Sequence, residues 1–261
     1  MNFKYMKLTL DGPVAVLAYN RPEVLNAMSP ESLAEFGEAL DVIEDPASGV
    51  RCVVLTGEGR AFCAGANLRE RASGDAPEAG AVLDTSYHPI LRRLRDLRCP
   101  LITAVNGPAA GGGMAFALMG DLIVAVRSAY FMQAFRRIGL VPDCGSSWLL
   151  PRLVGRARSL ELSLLGERLP AEKALEWGLI NRVVDDGEAL NEAMKLAREL
   201  ANGPTVALGL IRRLYAESTE NSFEEQLDLE RQFQRAAGRA SDFAEGVQAF
   251  LEKRPARFTG H

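Results

Sequence analysis

Two stretches of small residues, FCAGANL at residues 62–68 and NGPAAGGG at residues 106–113, determine how this sequence is interpreted. Each follows a short apolar run rich in β-branched residues, Val50 to Thr56 in the first case and Leu101 to Val105 in the second. Runs of this kind are typical of buried strands. We therefore expect two strands that each end in a tight turn, named here the first turn (62–68) and the second turn (106–113).

These turns have the composition of an oxygen-binding backbone. Small residues let the backbone come close to a ligand, and a helix that begins there offers N–H groups without an intrahelical partner. Two such turns side by side could hold one oxygen atom that becomes negative during a reaction. Nucleotide-phosphate binding is not favoured, because neither turn contains GxxxxGK(S/T) or GxGxxG. The residues alone also allow a purely structural role, in which the glycines let strand and helix pack closely.

The overall composition limits the other classes of function. The 261 residues carry a formal net charge of −4, which gives no general electrostatic basis for binding nucleic acid. No window approaches the roughly 20 apolar residues of a membrane helix, and residues 1–10 lack the apolar core of a signal peptide. Four widely spaced cysteines and two histidines do not indicate a metal site. We expect a cytoplasmic protein with reduced thiols.

The remaining patterns predict strand–helix units followed by a helical tail, and therefore an α/β fold. A hairpin is predicted from Leu8 to Tyr19, and a helix capped by Ser29 begins at Pro30. Residues 69–81 are small and polar and indicate a mobile loop, and a helix is predicted from Tyr87 to Leu97. Further strands are predicted at Leu122–Val126, Ala129–Gln133 and Ile180–Val184, and helices dominate from Leu190 to Leu251.

The two turns resemble those of the crotonase (enoyl-CoA hydratase/isomerase) superfamily. The resemblance continues, in order, through RPEVLNA at 21–27, GLVP at 139–142 and ALEWGLI at 174–180, and so covers nearly the whole chain. It implies a crotonase-like spiral of ββα units with an acyl-CoA site over residues 1–195. It also implies a C-terminal helical segment, residues 196–261, that forms homotrimers or hexamers. Coenzyme A would be part of the substrate, with no separate cofactor.

The resemblance also assigns roles to single residues. It places the N–H groups that hold the substrate oxygen at Ala66 and Gly112. The residues that it implies at the substrate are Ala64, Asn67, Leu68, Leu25, Phe135 and His88.

The reaction depends on the groups that move protons. Hydratases of the superfamily use two glutamates, and this chain has Ala115 and Phe135 at those positions. Asp143 stands where isomerases that use an aspartate carry it. If the neighbouring Val141, Cys144 and Trp148 desolvate Asp143, it becomes a better base. The alternative is that Asp143 caps the helical segment beginning at Gly145.

Residues 134–145 and 148–152 resemble a group of ring isomerases within the superfamily, which act on 1,2-epoxyphenylacetyl-CoA in phenylacetate catabolism. We therefore expect an acyl-CoA isomerase that rearranges this ring, shifts an enoyl-CoA double bond, or both. Three alternatives stay open. The first is an enoyl-CoA hydratase, and the second is a dehalogenase or hydrolase in which Asp143 is a nucleophile and His88 activates water. The third is a non-catalytic crotonase fold that binds RNA or serves as a scaffold.

Overall fold

The computed structural model describes residues 3–68 and 78–261. Its strands, in chain order, are β1 (Met6–Asp11), β2 (Val14–Tyr19), β3 (Cys52–Gly57), β4 (Leu101–Val105), β5 (Ala109–Ala110), β6 (Leu122–Val126), β7 (Tyr130–Met132), β8 (Arg168–Pro170) and β9 (Arg182–Val184). One sheet has the order β1-β2-β3-β4-β6-β9, and a smaller sheet has the order β5-β7-β8. In the large sheet only β1 and β2 pair antiparallel. The predicted α/β class is confirmed.

Helices pack around both sheets and form the end of the chain. They are α1 (Pro30–Glu44), α2 (Ala79–Val82), α3 (His88–Asp96), α4 (Gly112–Ala117), α5 (Ser146–Leu165), α6 (Ala171–Glu176), α7 (Ala189–Ala201), α8 (Thr205–Glu217), α9 (Phe223–Ala237) and α10 (Ser241–Glu252). A π-helical turn, Leu83–Tyr87, joins α2 to α3, and a 3-10 helix covers Phe135–Ile138. Among the described residues, no helix combines the length and apolar character that a membrane span requires.

The hairpin and the first helix form as the sequence predicts. Strands β1 and β2 pair from Met6 opposite Tyr19 to Asp11 opposite Val14. Helix α1 begins at Pro30 behind a reciprocal cap: the Ser32 N–H donates to the Ser29 hydroxyl, and the Ser29 N–H donates to the Ser32 hydroxyl. Both caps satisfy N–H groups that the helix leaves unpaired.

The central strands explain why the sequence shows continuous apolar runs. Strands β2, β3 and β4 are neighbours in the sheet and pair in parallel. Strands β3 and β4 are buried at every residue. A strand covered on both faces needs no polar residue at alternate positions. The predicted strands at Leu101–Val105 and Leu122–Val126 are confirmed with those bounds.

Two local features differ from what the sequence predicts. Strand β8 was not predicted, because three residues ending at Pro170 carry almost no periodic signal. The predicted loop at 69–81 includes residues 69–77, which lie outside the described residues, but its end is helical in α2. The reason is the Glu78 carboxylate, which accepts hydrogen bonds from the N–H groups of Gly80 (2.9 Å) and Ala81 (3.2 Å) and so caps the first turn.

The C-terminal helices are fastened to the sheet. Helix α7 runs through the predicted boundary after residue 195 and packs against β3, β4 and β6, so the core continues to the end of this helix. The Arg51 guanidinium, at the start of β3, donates to the hydroxyl of Thr205 (2.8 Å) and to the carbonyls of Gly203 (2.6 Å) and Phe258 (3.2 Å). The division into two domains stays a prediction.

Replacing Arg51 with Met should lower the free energy of unfolding by about 3 kcal/mol, because three partly buried hydrogen bonds to a charged group are lost. Urea midpoints of the two proteins measure the effect. The matched control is Arg198→Met, which removes an exposed ion pair with Asp11 and should cost less than about 1 kcal/mol. Equal losses in the two variants would contradict the fastening role of Arg51.

Candidate active site

The two turns lie side by side and bond to each other through their backbones. The N–H groups of Phe62 and Cys63 both lie 3.1 Å from the carbonyl oxygen of Pro108, to which they donate. The N–H of Ala110 donates to the carbonyl of Cys63 at 3.0 Å. This pairing follows from the sheet, because β3 and β4 are neighbours and each runs into one of the turns.

Glycine is required where the turns touch. A Cβ atom on Gly113 would lie 2.1 Å from the carbonyl oxygen of Cys63. Gly65 has a φ of +91°, and a Cβ atom there would lie 2.8 Å from the carbonyl oxygen of Ala110. The packing role considered for the glycines therefore holds at these two positions. It does not account for the N–H groups of Ala66 and Gly112.

Those two N–H groups are available to a ligand. Within the described residues, neither the N–H of Ala66 nor that of Gly112 donates to a protein acceptor. Ala66 is held between two backbone bonds of Met28, whose N–H donates to Gly65 (2.7 Å) and whose carbonyl accepts from Asn67 (2.8 Å). Gly112 is the first residue of α4, where an N–H has no intrahelical partner.

The first turn is supported by the segment at 21–27. The carbonyl of Leu25 accepts a hydrogen bond from the N–H of Ala64 (3.0 Å), and Leu25 and Asn26 both have positive φ. The Asn26 amide is buried and donates to the carbonyls of Glu58 (2.9 Å) and Ala61 (2.7 Å). Leu25 thus shapes the turn from behind, and its predicted contact with substrate stays a prediction.

A cavity of about 240 Å³ lies in front of the turns. The turns contribute Ala64, Gly65, Ala66, Leu68, Gly111 and Gly112 to its lining. Phe135 and Asp143 lie on the same cavity, so the structure brings together most of the predicted site residues. Asn67 does not line it and is buried, with its backbone bonded to Met28.

Asp143 is the only carboxylate among the described residues that line the cavity. Its backbone carbonyl accepts from the N–H (3.0 Å) and the hydroxyl (2.7 Å) of Ser146, the first residue of α5. The cap residue of α5 is Gly145, which has no side chain that could accept a capping hydrogen bond. Asp143 is half-buried and lines the cavity, with Cys144 beside it.

The apolar surroundings of Asp143 differ from the expected ones. Val141 is 77% exposed and Trp148 is 38% exposed, and neither lines the cavity. Cys144 is the one of the three predicted neighbours that is buried there, at 2% exposure. Burial and the adjacent Asp143 carboxylate raise the pKa of the Cys144 thiol, so it remains protonated.

His88 lies outside this cavity. It lines an adjacent pocket of about 340 Å³ together with Trp148 and Leu149, and its Nδ1 atom is 3.1 Å from a carboxylate oxygen of Asp84. Its assignment to the substrate stays a prediction, and the pocket that it lines is not the one that contains the turns.

Several lining residues were not singled out from the sequence. Val82 and Leu83 approach from α2 and the π-helical turn, and Ile138 and Leu140 follow Phe135. Arg137 is the only cation on this lining among the described residues, and its guanidinium donates twice to the carbonyl of Gly166. In the sequence, apolar residues at these positions cannot be distinguished from residues of the hydrophobic core, so no pattern marks them as part of the cavity. The described residues contain no cluster of metal-ligand side chains.

Comparison with known proteins gives the family. The family model described as enoyl-CoA hydratase/isomerase matches residues 10–261. A 1,2-epoxyphenylacetyl-CoA isomerase from Escherichia coli (strain K12) is 50% identical over 250 residues, 95% of each chain. The 4-chlorobenzoyl coenzyme A dehalogenase-2 of Arthrobacter sp. is 36% identical over 243 residues, 92% of this chain and 88% of its own.

A solved structure agrees with the sequence relatives. The crystal structure of an enoyl-CoA hydratase from Polaromonas sp. JS666 matches with a TM-score of 0.91 and 38% identity, covering 97% of this chain and 99% of its own. The chain therefore belongs to the enoyl-CoA hydratase/isomerase family of the crotonase superfamily of enzymes. The predicted crotonase-like fold is confirmed.

Replacing Gly113 with Ala should lower the free energy of unfolding by more than about 4 kcal/mol or prevent folding. The new Cβ atom would clash with the backbone carbonyl of Cys63, and neither backbone segment can move aside without disturbing its turn. The matched control is Gly37→Ala in α1. A Cβ atom there would meet the Cδ1 atom of Ile90 at 3.4 Å, an ordinary contact. This second variant should be more stable than the wild type by up to about 1 kcal/mol, since alanine favours a helix. Soluble yield and urea midpoints distinguish the two, and similar stability in both variants would refute the described contact between the turns.

Proposed function

We propose that this enzyme is an acyl-CoA isomerase with one acid/base residue, Asp143. The observation that carries the proposal is that, among the described residues, one carboxylate lies on the same cavity lining as two N–H groups that donate to no protein acceptor. The family supports a thioester of coenzyme A as the substrate.

The proposed chemistry needs only these groups. The thioester oxygen accepts hydrogen bonds from the N–H groups of Ala66 and Gly112, which stabilise the negative charge of an enolate. That stabilisation makes a carbon next to the thioester acidic enough for Asp143 to remove its proton. Asp143 then returns the proton to another atom of the delocalised system. The number of atoms in the acyl group is unchanged, as an isomerisation requires.

Hydration is less well supported by the same lining. Adding water needs a group that activates the water molecule and a group that handles the proton on carbon. Ala115 is fully buried in α4 and does not line the cavity, and Phe135 offers an aromatic ring there. Neither side chain moves a proton.

The acyl group that fits best is compact and largely apolar. The walls of the cavity include Phe135, Tyr87, Leu83 and Ile138. The relative at 50% identity is named for 1,2-epoxyphenylacetyl-CoA. We therefore propose ring isomerisation of this thioester, a double-bond shift in enoyl-CoA, or both, with Ala64, Asn67 and Leu68 near the coenzyme A portion.

We also propose a homotrimer, or a hexamer of two trimers, built through the C-terminal helices. The apolar side chains of Phe243, Val247, Phe250 and Leu251 in α10 are all exposed in the single chain. Covering them would remove apolar surface from water. Sedimentation equilibrium should give a trimeric or hexameric multiple of the chain mass of 28.3 kDa. A monomer that persists at high protein concentration would contradict this assembly.

Replacing Asp143 with Asn should lower kcat by at least about a hundredfold, because the amide cannot accept the substrate proton. Binding of a saturated acyl-CoA, measured by calorimetry, should stay close to that of the wild type. Turnover is followed with 3-enoyl-CoA and with epoxyphenylacetyl-CoA. The control is Asp96→Asn, which removes an exposed carboxylate that pairs with Arg95 and should leave kcat unchanged.

Other outcomes of the same assays separate the alternatives. Full isomerase activity in the Asp143→Asn variant would refute the assignment. Turnover confined to hydration of crotonyl-CoA would favour a hydratase, and halide release from 4-chlorobenzoyl-CoA would favour a dehalogenase.

A further inference from the structure

Cys144 stands between two cavities. Among the described residues, it is the only one that lines both the catalytic cavity of about 240 Å³ and the adjacent pocket of about 340 Å³. Its side chain is almost completely buried. Residues close together in the sequence each line only one of the two cavities. Tyr87 and Asp143 line the first, whereas His88 and Gly145 line the second. Cys144 is therefore part of the wall of both cavities.

The backbone holds this wall in an unusual place. Cys144 has a φ of +53°, a left-handed conformation that is costly for a residue with a Cβ atom. The Sγ atom lies 3.6 Å from the point that a Cβ atom on Gly112 would occupy. The thiol thus rests against the second turn, close to the N–H that the proposed function assigns to the thioester oxygen.

The space behind the wall suits an extension of the acyl group. The catalytic cavity is smaller than the roughly 300–1,000 Å³ of typical ligand pockets, so it accommodates a compact group. The second pocket, of about 340 Å³, has the apolar side chains of Leu91, Met119, Trp148 and Leu149 on its lining, with His88, Arg92 and Arg95 beside them. An acyl chain that outgrew the first cavity past Cys144 would enter these apolar surroundings.

We propose that Cys144 determines the length of the acyl group, because its side chain closes the catalytic cavity against the second pocket. The wild-type enzyme then favours compact acyl groups, and loss of the side chain joins the two spaces and admits extended apolar chains. This inference rests on the proposed function for its reaction, whereas the wall itself can be tested by binding alone.

The kinetic test compares hexenoyl-CoA with dodecenoyl-CoA. Cys144→Gly removes the wall at a φ that glycine adopts freely. Its ratio of kcat/KM for the long over the short substrate should rise at least about tenfold, since each methylene that becomes buried is worth about fourfold. The ratio cancels any general effect of losing the thiol next to Asp143.

Three variants sharpen the comparison. Cys144→Ser keeps nearly the same size and a hydrogen-bond donor, so its ratio should stay close to that of the wild type. Cys99→Ala removes a buried thiol that lines neither cavity and should leave the ratio unchanged. Adding Leu149→Phe to Cys144→Gly should lower the ratio again by filling the second pocket. A ratio that is the same in Cys144→Gly and wild type, or that rises equally in Cys144→Ser, would overturn the proposal.

A binding measurement separates this proposal from the proposed reaction. The chain has two tryptophans, so Trp177→Phe leaves Trp148, in the second pocket, as the only fluorophore of its kind. Saturated dodecanoyl-CoA should shift the Trp148 emission in the Cys144→Gly variant and not in the Cys144 parent. If the emission shifts only in the Cys144→Gly variant while no variant isomerises any substrate, the role of Cys144 as a wall is supported and the proposed function is refuted. An unchanged emission in both would overturn the role of Cys144.

Discussion

The backbone contact between the two turns is the constraint on which the active site depends. The Cys63 carbonyl accepts from Ala110 and faces Gly113 at a distance that excludes any side chain. Each turn is therefore fixed by the other, and the N–H groups of Ala66 and Gly112 reach the same cavity as a result. Preorganised donors of this kind stabilise developing charge without reorganising during the reaction.

The large sheet delivers the turns to this contact. Strands β3 and β4 are adjacent and parallel, so both turns leave the sheet at the same edge. The segment containing Leu25 supports the first turn from β2, the next strand along. Asp143 arrives by a different route, in the loop before α5, where Ser146 holds its backbone carbonyl. The two turns thus belong to the core of the large sheet, whereas Asp143 belongs to the loop that leads into α5.

The sequence was most informative where a local pattern has a single physical explanation. The apolar runs of β3 and β4, the Ser29 cap of α1 and the small residues of the turns could all be predicted this way. Prediction failed where the signal depends on distant contacts. Strand β8 exists because β7 lies beside it, and the cavity face of Ile138 is visible only once the chain has folded. Val141 was expected to cover Asp143 but faces solvent, because its position depends on contacts made only in the folded chain.

The buried thiols of Cys63 and Cys144 have a chemical consequence. Only a thiolate attacks electrophiles efficiently. Burial raises the pKa of Cys63, in the first turn, to about 12, and it also raises the pKa of Cys144 on the cavity wall. Near neutral pH burial therefore favours the protonated form of both thiols. A thiol that burial keeps protonated is a poor nucleophile toward strained, alkylating groups such as epoxides.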